Sequence, residues 1–189
     1  MKETQVADRI SRFLLIVVIM IIMTGCQPAQ SGTNVVSYES VELEISLKYP
    51  SRGIMEKRSP LNLKLSFENV GQIEILSRDF TVLSPFTSNN YLDDEDANLV
   101  LEAWANIYSP SGTMVISDGP TPLKVNDYKT SIMEMRTLEG RVAIIAAVLP
   151  DDERALLFIA VPEDVQANKQ ELRQILEDML TTVQTYDPQ

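Results

Sequence analysis

VAIIAAVL at residues 142–149 and ALLFIAV at residues 155–161 are two apolar runs in which polar residues do not alternate with apolar ones. Successive side chains of a strand point to opposite faces of its sheet, so a run without alternation indicates a strand that is covered on both faces. Only PDDER, residues 150–154, separates the two runs, and a connection this short joins antiparallel neighbours. We therefore predict that these runs form an antiparallel hairpin at the centre of a sheet.

The segments around this hairpin predict strands with one polar face. Residues 41–49 (VELEISLKY) alternate strictly between apolar and polar, and residues 61–67 (LNLKLSF) do the same. Asn126-Asp127 is predicted to be a tight turn that requires positive φ. Loops are predicted at residues 51–60 and 79–90, and an interruption is predicted at residues 120–122. Further strands are predicted at residues 72–76, 113–117, 123–125, and 128–137.

Two segments have the periodicity of amphipathic helices. Residues 97–108 carry an apolar stripe that includes Trp104, and residues 165–185 repeat apolar residues at helical spacing from Leu172 to Val183. The fold has to combine two helices, a hairpin covered on both faces and outer strands with one polar face. They predict an α+β domain in which an antiparallel sheet is sandwiched between helices.

Four acidic residues, 93–96 (DDED), precede the first of these helices. Carboxylates at a helix start complement the positive end of the helix dipole, and this is the explanation that we favour. A calcium site is the alternative, although the spacing lacks the glycine and the closing glutamate of an EF-hand loop. We therefore predict no metal site and no cofactor.

The composition excludes several kinds of chemistry. The chain has 189 residues, a net charge of −11, no histidine and one cysteine. The absence of histidine removes the commonest general base and the commonest transition-metal ligand, and a single cysteine allows no internal disulfide. A field of this sign repels phosphate groups, so we expect that the protein binds no nucleic acid and does not lie flat on an anionic bilayer.

The N-terminus has the features of a secretory signal. Residues 13–23 (FLLIVVIMIIM) form an apolar run of 11 residues, which is too short to span about 30 Å of hydrocarbon. Met23-Thr24-Gly25-Cys26 then resembles the lipobox of bacterial lipoproteins, with Met23 where Leu is usual. The resemblance implies cleavage between Gly25 and Cys26 and attachment of acyl chains such as palmitate to Cys26. A plain signal peptide or a helical anchor is the alternative.

These features predict three parts of the chain. Residues 1–25 are the signal peptide, residues 26–34 are the lipidated cysteine with a flexible polar tether, and residues 35–189 are a single domain. The lipid on Cys26 would hold this domain at the extracytoplasmic face of a bacterial membrane, on the periplasmic side or at the cell surface.

The order of features resembles the PsbP-like family, which comprises the extrinsic subunit of photosystem II and its bacterial lipoprotein relatives. The resemblance covers residues 36–183. It rests on the lipobox, a strand ending at Tyr49-Pro50, a proline-rich step into residues 123–128, a long hairpin and an amphipathic C-terminal helix. It implies an α/β/α sandwich around an antiparallel sheet and a role in docking on a membrane protein complex. The histidine metal ligands of some members have no counterpart here.

Taken together, these features predict a non-catalytic, membrane-anchored binding or assembly module whose partner is a membrane protein complex. Arg52, Lys57 and Arg58 form a basic segment on an acidic protein and are the residues that we predict to dock on an acidic partner. A solvated loop is the alternative for this segment. A small-ligand carrier or sensor with a pocket between sheet and helix is a second hypothesis for the function, and a histidine-independent hydrolase is a third.

Overall fold

A computed structural model of the protein describes residues 34–86, 97–109, 113–151 and 153–185. The predicted signal peptide, Cys26, most of the predicted tether and the acidic cluster 93–96 lie outside these residues. The described strands are β1 (Val35–Ser40), β2 (Ile45–Pro50), β3 (Ile54–Ser59), β4 (Asn62–Phe67), β5 (Gly71–Asp79), β6 (Met114–Val125), β7 (Tyr128–Thr137), β8 (Val142–Leu149), β9 (Arg154–Pro162) and β10 (Gln184–Thr185). The described α-helices are α1 (Phe80–Leu83), α2 (Ala97–Tyr108) and α3 (Val165–Leu180).

Seven of these strands form one antiparallel sheet in the order β3-β4-β5-β9-β8-β7-β6. β8 and β9 lie at its centre and pair with each other from Ile144 opposite Ala160 to Val148 opposite Leu156. Every residue of β8 is buried, and so are most residues of β9. The central antiparallel hairpin that the two apolar runs predict is therefore confirmed.

Different elements cover the two faces of this sheet. On the first, which we call the α3 face, α3 and a smaller sheet of order β1-β2-β10 pack around Leu65, Phe158 and Leu176. On the second, the α2 face, α1 and α2 pack around Leu101 and Ile145. Because each outer layer buries its apolar side against the central sheet, the result is the predicted antiparallel sheet between helices.

The first predicted strand, residues 41–49, is wrong in its N-terminal half. Residues 41–44 form a tight turn in which Glu44 has φ 52°, and β2 starts only at Ile45. Leu43 is fully buried all the same, so the apolar alternation continues through the turn. The Ser40 hydroxyl accepts a hydrogen bond from the Leu43 N–H at 3.2 Å, and such local bonds compete with strand pairing. β1 and β2 therefore form a hairpin, and β1 was not predicted.

Both edge strands of the large sheet include residues that we predicted to be irregular, although the two ends of β6 fall on the predicted strands 113–117 and 123–125. β3 lies inside the predicted loop 51–60. β6 runs unbroken through Pro120 and Pro122, with a cis peptide bond between Gly119 and Pro120. An edge strand has no partner on one side, so it tolerates the missing N–H of proline, and the β6 pairing with β7 contains two register shifts.

The predicted helix 97–108 is confirmed as α2. The predicted loop 79–90 instead begins with the last residue of β5, the short helix α1 and a 3₁₀ turn, Ser84–Phe86. Residues 87–90 of that loop lie outside the described residues. Within the described ranges, no helix is both long and apolar enough to cross a membrane.

The last helix is shorter than predicted. α3 ends at Leu180, and the chain then turns into the two-residue strand β10 beside β2. Asn126, in the predicted turn, has φ 47°, and its side-chain amide donates hydrogen bonds to the carbonyls of Thr181 at 3.2 Å and Val183 at 2.9 Å. Carbonyls at a helix end need partners, and here a distant side chain supplies them in place of another helical turn.

Candidate functional site

The three basic residues that the sequence singled out do not form one surface patch. Arg52 lies in the turn between β2 and β3, next to Asn34, and forms an ion pair with Glu171 of α3. Lys57 lies on β3 and forms an ion pair with Glu42 in the β1–β2 turn. The hydrogen bond from Lys57 holds the pKa of Glu42 below its ordinary value. Arg52 and Lys57 are therefore at opposite ends of the β1–β2 hairpin.

Arg58, the third of the basic residues, lies on β3 at an edge of the large sheet. Its guanidinium is 3.1 Å from the carboxylate of Glu56, two residues earlier on β3, and the β3–β4 register shifts between Lys57 and Ser59. Charged side chains and bulges at a sheet edge prevent pairing with other chains. Edge protection therefore accounts for the charges of Lys57 and Arg58, and their docking on a partner stays a prediction.

A buried carboxylate that we did not predict lies beneath α3. Glu134, on the α3 face of β7, is only 5% exposed. It accepts hydrogen bonds from the Lys169 ammonium at 2.9 Å, the Arg136 guanidinium at 3.1 Å and the Ser117 hydroxyl at 3.1 Å. We call these four residues the Glu134 cluster. It joins β6, β7 and α3 through one carboxylate.

The protonation state of the Glu134 cluster follows from its contacts. Burial raises the pKa of the Glu134 carboxyl, but the hydrogen bonds from Lys169 and Arg136 and the charge of Lys169 outweigh burial and lower it below the ordinary value of 4.5. Glu134 is therefore ionised at neutral pH. Since two cations and a hydroxyl already occupy its oxygens, this carboxylate stabilises the sandwich and is not a free general base.

Part of this cluster could have been found in the sequence. Glu134 occupies an inward position of β7, two residues after the buried Ile132, and it stands between the buried Met133 and Met135. A carboxylate in such a strand predicts a buried cationic partner. The partner could not be named in advance, because Lys169 lies 35 residues further along the chain.

A cleft lies between the start of α2 and the β6–β7 pair, where a small-ligand carrier would need its pocket. Its volume is about 240 Å³, and it is lined by apolar and polar side chains in similar proportion, including Leu123, Tyr128 and Thr130. The Ser131 hydroxyl donates to the side-chain carbonyl of Asn98 in this cleft. Ligand pockets are larger, roughly 300–1,000 Å³, and mostly apolar. The geometry of this cleft therefore gives little support to the ligand-carrier hypothesis.

A second concavity, of about 400 Å³, lies on the outside of the smaller sheet, between β1–β2 and the residues that follow α3. Its lining is mainly polar, and two of the lining residues are hydrogen-bonded to each other. The Thr182 hydroxyl accepts a hydrogen bond from the Lys48 N–H at 2.8 Å. This contact links the end of α3 to β2, so the concavity is a groove between two connected elements.

Over the described ranges, no group of three or more Asp, Glu, Cys or His side chains is arranged to hold a metal ion. The acidic residues 93–96, the calcium alternative of the sequence, lie outside those ranges.

Comparisons with known proteins give similarity at the level of structure. No protein-family model matches the sequence. No curated protein matches it in sequence either. A crystal structure from Bacteroides thetaiotaomicron is similar with a TM-score of 0.44 and 11% identity, over 80% of this chain and 48% of that one.

The solution structure of cyanobacterial PsbP (CyanoP) from Synechocystis sp. PCC 6803 is similar with a TM-score of 0.52 and 13% sequence identity. The similarity covers 86% of this chain and 98% of the cyanobacterial one. At this identity the similarity is informative about the fold alone. The chain has a PsbP-like α+β fold.

Proposed function

We propose that this protein is an extracytoplasmic lipoprotein, anchored through Cys26, whose PsbP-like domain is a non-catalytic docking or assembly module for a membrane protein complex. The observation that carries the proposal is the position of the only cysteine. Cys26 follows an apolar run and Gly25, and β1 starts at Val35, nine residues later. A lipid on this thiol would be attached just upstream of a folded domain.

The length of the connecting segment supports this arrangement. Nine residues span at most about 30 Å when they are fully extended, at roughly 3.3 Å per residue. A domain on such a tether stays within one protein diameter of the bilayer, where membrane proteins are concentrated around it. The tether therefore favours binding to a partner in the same membrane.

A non-catalytic role is supported by the chemistry of the chain. The chain has no histidine, and Glu134, the buried carboxylate among the described residues, already has two cationic partners. The resemblance to the PsbP-like family implies a role of this kind, docking on a membrane protein complex. The acidic charge of −11 favours a partner surface that is basic or mixed in charge.

Replacing Cys26 with serine tests the anchor. We expect Cys26→Ser to move the protein out of the membrane fraction or to leave the signal peptide uncleaved, because serine offers no thiol for acylation. Membrane fractionation, gel mobility and intact mass of the purified chain are the measurements. Met23→Leu is the control, since it restores the usual lipobox residue and should be processed at least as well as the parent. If the serine variant fractionates and migrates like the parent, the lipoprotein proposal is wrong.

Neutralising the basic segment tests docking. We expect the triple change Arg52→Gln, Lys57→Gln and Arg58→Gln to reduce in-cell crosslinking to a membrane protein by about tenfold, which corresponds to the loss of roughly 1.4 kcal/mol of binding free energy. The readout is the yield of crosslinked partner from the lipidated protein.

The matched control has the same change in net charge at other exposed positions. It combines Lys48→Gln, Lys124→Gln and Arg141→Gln, and it should leave the yield unchanged. Equal losses in both triple variants would show that only overall charge matters. If the parent protein has no crosslinked partner at all, the docking function itself is wrong, whereas the anchor is tested separately.

A further inference from the structure

The large sheet has two ends, and they differ in composition. Its strands alternate in direction, so β3, β5, β8 and β6 start at the same end at which β4, β9 and β7 finish. We call this the tether end, because Asn34, the first described residue, is bonded there through its carbonyl to the N–H of Ser51, 2.7 Å away. The opposite end, with the β1–β2, β3–β4 and β6–β7 turns, is the far end.

Exposed apolar side chains are concentrated at the tether end. In the described part of the chain ten large hydrophobic residues are exposed, and seven of them lie at this end. Leu138, in the β7–β8 turn, is 96% exposed, and Ile54, at the start of β3, is 74% exposed. The other five at this end are Val35, Val36, Tyr108, Val115 and Ile116. The three at the far end are Val41, Leu61 and Val82.

Strand registers show that these residues extend across the whole width of the sheet. Ile54 is opposite Ser66 on β4, and Ile116 is opposite Met135 on β7. Following the pairing from strand to strand brings both isoleucines to the same row, at opposite edges of the sheet. Val35 is opposite Pro50, at the end of β2 from which the chain enters β3. The apolar side chains are therefore spread over one end of the sandwich and do not line a groove.

Charge does not distinguish the two ends. Exposed carboxylates lie in the turns of both, namely Glu42, Asp127, Asp151 and Glu153 at the far end and Glu68, Glu139, Glu163 and Asp164 at the tether end. The exposed guanidinium groups of the tether end, Arg52 and Arg141, form ion pairs with Glu171 and Glu139. The tether end therefore differs in its exposed apolar side chains, which suit the boundary between headgroups and acyl chains.

From this distribution we infer that the tether end is a lipid-contacting surface, which rests on the bilayer that holds the Cys26 lipid. The inference rests on the proposed lipidation and adds an orientation to it. The occupant is the bilayer because the undescribed segment from Cys26 joins the domain at this end, so the membrane lies within about 30 Å of it. Surfaces away from the tether end, including the Lys57 region, are then left for a protein partner.

Two single-cysteine variants of the full-length lipidated protein test the orientation. Leu138→Cys places a thiol at the tether end, and Val41→Cys places one at an exposed position of the far end. The acylated Cys26 no longer reacts, so the introduced thiol alone takes an environment-sensitive fluorophore. The protein is reconstituted in phosphatidylcholine vesicles that contain a lipid with a nitroxide near its headgroup. We expect quenching about threefold stronger at position 138, because an interfacial contact buries side chains roughly 5–10 Å into the boundary region.

The outcomes separate this inference from the proposed function. If the protein carries no lipid and does not bind the vesicles, the lipoprotein proposal fails and the orientation fails with it. If the protein is anchored but the two positions are quenched equally, or position 41 more strongly, the orientation alone is wrong. A blue shift at position 138 without lipid quenching, together with crosslinking to a protein or to a second copy, also overturns it.

Discussion

Replacing Gly71 with alanine is expected to destabilise the protein by about 4 kcal/mol, although the change adds only one methyl group. A Cβ at Gly71 would overlap the Val161 carbonyl oxygen and would lie 2.8 Å from the Pro162 Cα. These are backbone atoms of the central strand β9, so they cannot move aside without breaking its pairing with β5. The φ of Gly71 is 144°, a conformation that residues with a side chain rarely adopt.

Gly140→Ala is the matched control for this prediction. Gly140 also has positive φ, at 83°, but an added Cβ would have no atom within 4 Å. The Gly140→Ala variant should therefore lose only about 1 kcal/mol of unfolding free energy, which is the strain of the backbone conformation. Denaturant unfolding of the two variants and the parent measures both effects. Equal losses of unfolding free energy for the two variants would mean that β5 and β9 leave room for a Cβ at Gly71.

The second large effect is expected at the Glu134 cluster. Lys169→Met keeps the aliphatic stem but removes the ammonium that is 2.9 Å from Glu134, so a buried carboxylate loses its nearest cation. Removing one partner of a buried ion pair costs about 3 kcal/mol. Arg141→Met is the control, because the Arg141–Glu139 pair is exposed and 3.7 Å apart. It should change the free energy of unfolding by less than about 0.5 kcal/mol.

A double-mutant cycle decides whether the loss belongs to the pair. With Glu134→Gln already in place, Lys169→Met should cost much less than it does alone, since no buried charge is left to compensate. If the two losses simply add, Lys169 stabilises α3 by packing and the charge pairing described here contributes little.

The same cluster gives the stability a defined pH dependence. The folded-state pKa of Glu134 is lower than its ordinary value, so the unfolded chain takes up this proton first as the pH falls. The contribution of Glu134 is therefore complete above about pH 4.5 and is lost as the pH falls below that value towards the folded-state pKa. Denaturant unfolding between pH 7 and pH 3 should show a smaller decrease for Glu134→Gln than for the parent. Identical pH profiles would contradict the lowered pKa.

Much of the fold could be predicted because its determinants are local in the sequence. The runs that became β8 and β9 are apolar at every position, and that pattern has few structural solutions. α2 was predicted because its apolar stripe is contained within twelve residues. The turn at Asn126 was predicted from residue types that tolerate positive φ.

The errors arose where distant contacts decide the structure. The alternation of residues 41–49 continues through a turn, and only the pairing of β1 with β2 shows that the chain reverses there. α3 stops at Leu180 because Asn126, far away in sequence, bonds the carbonyls beyond it. The predicted docking residues Arg52 and Lys57 proved to be far apart, since adjacency in sequence along an extended strand separates side chains in space.

The strand order of the smaller sheet also determines when the domain can finish folding during synthesis. In the order β1-β2-β10, the second strand of the domain lies between the first and the last. One edge of β2, near Ser46, therefore stays unpaired until Gln184 has been synthesised. α3, which covers Phe158 and Leu65, likewise forms from the last part of the chain. A polypeptide that emerges vectorially from a ribosome or a translocation pore therefore exposes the apolar α3 face until its end appears. This topology leaves the core around Leu65 and Phe158 uncovered during synthesis until α3 and β10 have formed.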